Sequence, residues 1–117
     1  MDNEALRKRT KSFALRIIKL IDALPNTRAG NVIANQLVRS ATSVGANYRA
    51  ACRGRSTAEF YSKLHIVLEE ADECVFWLEI IQEAELLPLN KTGAIVQEAN
   101  ELTAIFAKSC QTVRNNR

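Results

Sequence analysis

Apolar residues recur at intervals of three and four along almost the whole chain, and no stretch alternates in the manner of a strand. Across residues 3–24, Leu6, Thr10, Phe13, Ile17, Leu20 or Ile21, and Leu24 share one helical face, with Lys8, Arg9, Lys11, Arg16 and Lys19 on the others. Asp2 or Asn3 is placed to cap this helix, and Glu4 suits the positive end of its dipole. Pro25 stops it, because the residue before a proline is pushed out of the α region. After a loop at residues 26–30, a second helix is expected over residues 31–53, its stripe formed by Ile33, Leu37, Ala41, Val44, Tyr48, Ala51 and Cys52. A third is expected over residues 56–86, through Phe60, Leu64, Val67, Leu68, Ala71, Cys74 or Val75, Leu78 and Ile81. Pro88 suits the first turn of a fourth, with Asn90 as an alternative cap for a slightly later start. Its stripe is Ile95, Ala99, Leu102, Phe106, Ser109 or Cys110, and Val113, and residues 115–117 are expected to fray. Four amphipathic helices on short loops predict an all-α, up-down-up-down four-helix bundle, one domain over residues 1–117.

The sharpest local signal lies between the second and third helices. Gly54 reads as a glycine just past a helix end, in the left-handed region. Ser56-x-x-Glu59 reads as a capping box, Ser56 accepting from the Glu59 amide and Glu59 reaching back to the Ser56 amide. Glu59 and Lys63 also have the spacing of a favourable ion pair. Two faces carry more than a simple solvated surface requires. The second helix sets small residues beside Arg39, Asn47, Arg49 and Arg53, as a contact surface does. The third carries Phe76, Trp77 and Ile80 roughly opposite its core stripe.

Charge changes the picture more than composition does. The net charge is +3, yet residues 1–58 hold 11 Lys/Arg against 3 Asp/Glu, and residues 59–117 hold 5 against 10. Such asymmetry calls for an anionic partner, for pairing between unlike surfaces, or for both. On antiparallel helices Arg39 can be held by a carboxylate from a neighbour. No apolar run is long enough to span a bilayer, and the N-terminus lacks the apolar core of a signal peptide, so a cytoplasmic protein is expected.

Candidate chemistry is sparse. Cys52, Cys74 and Cys110 are far apart and form no C-x-x-C pair, which argues for small buried hydrophobes over disulfides or zinc. His65 is the one histidine, and Ser62 stands three residues before it, so the Glu-x-x-His of a di-iron bundle is absent. It is expected to be a partly buried helix residue. The acidic cluster Glu69, Glu70, Asp72 and Glu73 has no loop to preorganise a divalent ion, and a solvated or subunit-facing acidic face is the better reading. No catalytic constellation, metal site or cofactor motif is found, and no enzyme is expected.

Three pieces together resemble one known family: Leu24-Pro25, then Gln36-Leu37-Val38-Arg39-Ser40-Ala41-Thr42-Ser43-Val44-Gly45-Ala46-Asn47, then Ser56-x-x-Glu59-Phe60-x-x-Lys63-Leu64. Over roughly residues 20–87 the chain resembles the bacterial four-helix-bundle proteins encoded in intervening sequences of large-subunit ribosomal RNA genes. That family is similar to the accessory variability determinants of diversity-generating retroelements. Many members continue after the asparagine with Ile-Ala-Glu-Gly, whereas this chain has Tyr48-Arg49-Ala50-Ala51, so the family's glutamate falls on Ala50. The resemblance implies a homopentameric, barrel-like ring with a role in binding nucleic acid. The residues expected to meet RNA or DNA are Arg39, Arg49, Arg53 and Arg55, with Lys8, Lys11 and Lys19 as a second patch. Asn47, Ser56, Glu59, Phe76 and Trp77 are expected to serve the structure or the oligomer. The competing expectation is a structural or protein-adaptor module without nucleic-acid affinity, its arginines spent on Glu69, Glu70, Glu73 or Glu79.

Overall fold

Each stripe is realised as one buried helix face, and four such faces close one core. The structure, a computed structural model, describes residues 3–116. Its helices are α1 (Asn3–Ile21), α2 (Arg28–Cys52), α3 (Thr57–Glu83) and α4 (Leu89–Asn115). The order and the neighbour packing of α1 on α2, α2 on α3 and α3 on α4 give an up-down-up-down bundle, about 46 Å long and 20 Å across. Phe13, Ile17, Leu37, Val44, Leu64, Leu78, Leu102 and Phe106 are essentially inaccessible to water. Tyr48 packs its ring on Phe106 at 5.3 Å and donates its hydroxyl to Asn3 Oδ1 at 3.1 Å. Cys74 and Cys110 are buried, and burial pushes both thiols up, which suits inert core residues.

The helix ends depart from the expected bounds for identifiable reasons. The α2 helix begins one turn early, because the Thr27 hydroxyl accepts from the Gly30 amide at 3.1 Å and caps it there. Gly30 is buried, and a Cβ at this position would strike the Pro25 carbonyl. Gly54 is not in the left-handed region: among the described residues no glycine has positive φ. It is small because the chain passes close by, a Cβ there meeting the Ala51 carbonyl at 3.1 Å and the Phe60 nitrogen at 3.3 Å. The left-handed residue is Glu85, at φ 55°. Its amide donates to Gln82 O at 3.1 Å and that of Leu86 to Ile81 O at 2.9 Å, the paired bonds of a Schellman motif. So α3 ends at Glu83 rather than near residue 86. Pro88 is the N-cap of α4, one position before the helix, and Asn90 lies within it. Asn116 is the C-cap of α4, so that helix persists to Asn115. The expected Asp2 cap and the fraying at residue 117 lie outside the described residues.

Candidate nucleic-acid interface

An up-down bundle brings the start of α1, the end of α2, the start of α3 and the end of α4 to one end of the molecule. At that end stand Arg7, Lys8 and Lys11 on α1, Arg49 on α2, Arg53 at its C-cap, and Arg55 in the turn before α3, all exposed. Lys63, Lys108 and Arg114 join them from α3 and α4. The acids there are few. Glu4 sits 3.4 Å from Lys8 in a solvent-exposed pair, and such pairs contribute little. Glu59 is occupied by the chain itself: its amide donates to the Ser56 hydroxyl at 3.1 Å, and its carboxylate accepts from the Arg55 amide. The capping box therefore closes one residue earlier than expected, on Arg55 rather than Ser56, and no Glu59–Lys63 ion pair is present. The capped turn fixes the backbone from which Arg55 projects.

Two cations of the expected set stand apart. Lys19 is near the far end of α1, away from the cluster. Arg39 lies midway along α2 and is held by α3, its guanidinium 2.7 Å from Glu73 and 3.4 Å from Glu70. It also donates to Gln36 at 3.3 Å. Burial alone would raise the Glu73 carboxyl, but the Trp77 indole N–H, donating at 3.3 Å, and the nearby Arg39 charge bring it below its usual range. The Ser40 hydroxyl is also near enough to favour the ionised form, yet it makes no hydrogen bond of good geometry. Arg39 is thus paired as expected, though its side chain remains 55% exposed.

Arg9 was not anticipated as a strap. It forms a two-pronged bond to Glu98, 2.8 Å from Nε and 2.7 Å from Nη2, and reaches Glu101 at 3.0 Å. These bonds hold its guanidinium charged and close the α1–α4 seam. His65 is exposed rather than partly buried, 3.8 Å from Glu69 and stacked on Tyr61. Asn47 spends its amide within its own helix, donating to the Ser43 carbonyl at 3.0 Å and to the Ser43 hydroxyl at 2.8 Å.

Between α1 and α2 runs a groove of about 570 Å³ that periodicity did not flag. Its floor is Leu15, Ile18, Gly45 and Ala46, and its rim is Arg7, Lys8, Lys11 and Arg49, with Glu4 beside Lys8 as its one acid. Leu15 and Ile18 lie off the core stripe and are exposed. That mismatch is the signal the sequence carried for the groove. Gly45 faces the α1 backbone, where a Cβ would meet the Thr10 carbonyl at 3.6 Å, an ordinary contact, so the approach of the two helices does not require a glycine there. Among the described residues no group of His, Cys, Asp and Glu could hold a metal ion, and no helix is long and apolar enough to cross a membrane.

A basic-ended, all-α four-helix bundle defines the class, and the comparisons place it. The 23S rRNA-intervening sequence protein model matches residues 2–108, and the chain belongs to that family. It is also similar to a solved protein of unknown function from the S23 ribosomal protein family of Bacteroides thetaiotaomicron. The two share 32% identity over 95% of this chain and 99% of that one, with a TM-score of 0.85. No curated protein matches.

Proposed function

We propose that this chain is a non-enzymatic nucleic-acid-binding protein that works as a homo-oligomeric ring, its basic end taking the phosphates of structured RNA. The observation that carries the reading is the gathering of Arg49, Arg53 and Arg55 with Arg7, Lys8 and Lys11 at one end, with so few competing acids. Closely spaced cations neutralise phosphates whatever the base sequence. The family name refers to an intervening sequence of 23S rRNA, so a structured ribosomal RNA hairpin is the first ligand to try. A ring, five-fold as the family resemblance implies, would repeat the basic end around one axis and multiply weak phosphate contacts.

The second reading is a structural or adaptor module. It is favoured by Arg9 and Arg39, whose charges are already met by Glu98, Glu101, Glu70 and Glu73. A retention assay on hairpin RNA, duplex DNA and single strands separates the two. The proposal expects retention of the hairpin by the parent and its loss in Arg53→Glu/Arg55→Glu. Equal, negligible retention by both proteins favours the adaptor.

A further inference from the structure

The outward face of α3 carries one large aromatic among acids. Phe76 is 51% exposed, although it stands in the middle of a well-packed helix. Glu69, Asp72, Glu79 and Glu83 stand seven and four residues before it and three and seven after it, so all four share its face. Asp72, Glu79 and Glu83 have no cation within ion-pair distance among the described residues. Phe76 is also braced. Its ring meets Trp77 edge-on at 5.0 Å, Trp77 donates to Glu73, and Glu73 is held by Arg39. A side chain fixed in this way loses little freedom on docking.

The groove between α1 and α2 is the counterpart: an aliphatic floor inside a rim of four cations and one acid, Glu4, where the ridge is an aromatic inside an anionic rim. We propose that the Phe76 ridge of one copy seats in the α1–α2 groove of a second copy, Phe76 against Leu15 and Ile18 and the ridge carboxylates against Lys8, Lys11 and Arg49. The inference rests on the homo-oligomer part of the function proposed above and supplies its contact surfaces. Ridge on ridge, or groove on groove, would set like charges together. Ridge in groove pairs unlike surfaces and leaves one of each free on every added copy, which is the condition for a ring or an open chain. The chain's own ridge cannot fill its own groove, because α3 packs between α2 and α4 with this face turned outward. In the assembly Lys8, Lys11 and Arg49 are taken by this contact, and the phosphate contacts fall to Arg53 and Arg55, which lie outside the groove.

The head-to-tail character gives a decisive experiment. Phe76→Ser damages the ridge and leaves the groove, while Leu15→Glu and Ala46→Glu damage the groove and leave the ridge. All three positions are solvent-accessible, so circular dichroism is expected to report an intact helical fold. Sedimentation velocity at tens of micromolar is expected to show an assembly for the parent and the mass of a single 13.1 kDa chain for each variant. An equimolar mixture of Phe76→Ser with Ala46→Glu is then expected to form dimers with one chain of each, because one good ridge meets one good groove. A monomeric parent, or folded Phe76→Ser and groove variants that keep the parent's mass, would overturn the proposal. So would a mixture that stays monomeric. The double variant at Arg53 and Arg55 separates this failure from that of the nucleic-acid reading: it is expected to keep the parent's mass while losing RNA.

Discussion

Burial raises the Glu73 carboxyl, and its partners, Trp77 foremost, lower it by more. The folded pKa therefore lies below the unfolded value of about 4.3. A depressed carboxylate contributes stability above its unfolded pKa and loses it as pH falls through the folded one. Glu73→Gln removes that titration. Thermal midpoints between pH 7 and pH 3 should fall less steeply in the variant than in the parent below pH 4.3, and parallel acid limbs would show that Glu73 carries no such stability. Ser56 makes a second test at this scale. Its hydroxyl caps α3 through the Glu59 amide, and Ser56→Ala should cost about 0.5 to 2 kcal/mol, read as a lower urea midpoint at unchanged slope. Ser56 was legible because a capping box has a sequence signature. The hold of Glu73 on Trp77 was not, since a four-residue spacing allows many pairings and only burial selects one.

Helix existence was legible and helix ends less so, and the reason differs at each end. The Ser56 cap acts through local sequence, so α3 starts where expected, whereas α1 ends at Ile21 rather than Leu24, the chain tightening into turns from Ala23 N to Leu20 O and from Leu24 N to Ile21 O before it reaches Pro25. The early start of α2 depends on Thr27, whose hydroxyl competes with a loop reading of residues 26–30. The end of α3 depends on Glu85, a residue type that gives no hint of the left-handed region. Glycine carries no Cβ penalty there, so Glu85→Gly should stabilise the bundle by about 0.5 to 1 kcal/mol. A higher urea midpoint at unchanged slope is the expected outcome, and a lower one would show that the Glu85 side chain matters more than its backbone. Gly54 illustrates the converse error. A glycine beside a helix end suggested positive φ, whereas its actual role is to let the start of α3 pass close to the end of α2.

At the scale of the whole molecule, sequence halves proved a coarse guide to charge. The first half is basic as a string, but folding divides it: Arg39 goes to Glu70 and Glu73, Lys19 goes to the far end, and cations from α3 and α4 join the basic end. What matters is the antiparallel order, which interleaves distant segments at one end of a 46 Å bundle. The same order sets a basic apolar groove and an acidic aromatic ridge on different flanks, which no linear pattern displays. The function proposed for this chain requires its basic end to bind nucleic acid through phosphate. The salt dependence of affinity for a duplex hairpin tests it most directly, because each phosphate contact contributes roughly 0.9 to the slope of log affinity against log salt on a double helix. For the parent a steep negative slope is expected, and Arg53→Ala/Arg55→Ala should make it shallower by about 2. An affinity that ignores salt, or a slope unchanged by losing both arginines, would contradict the claim.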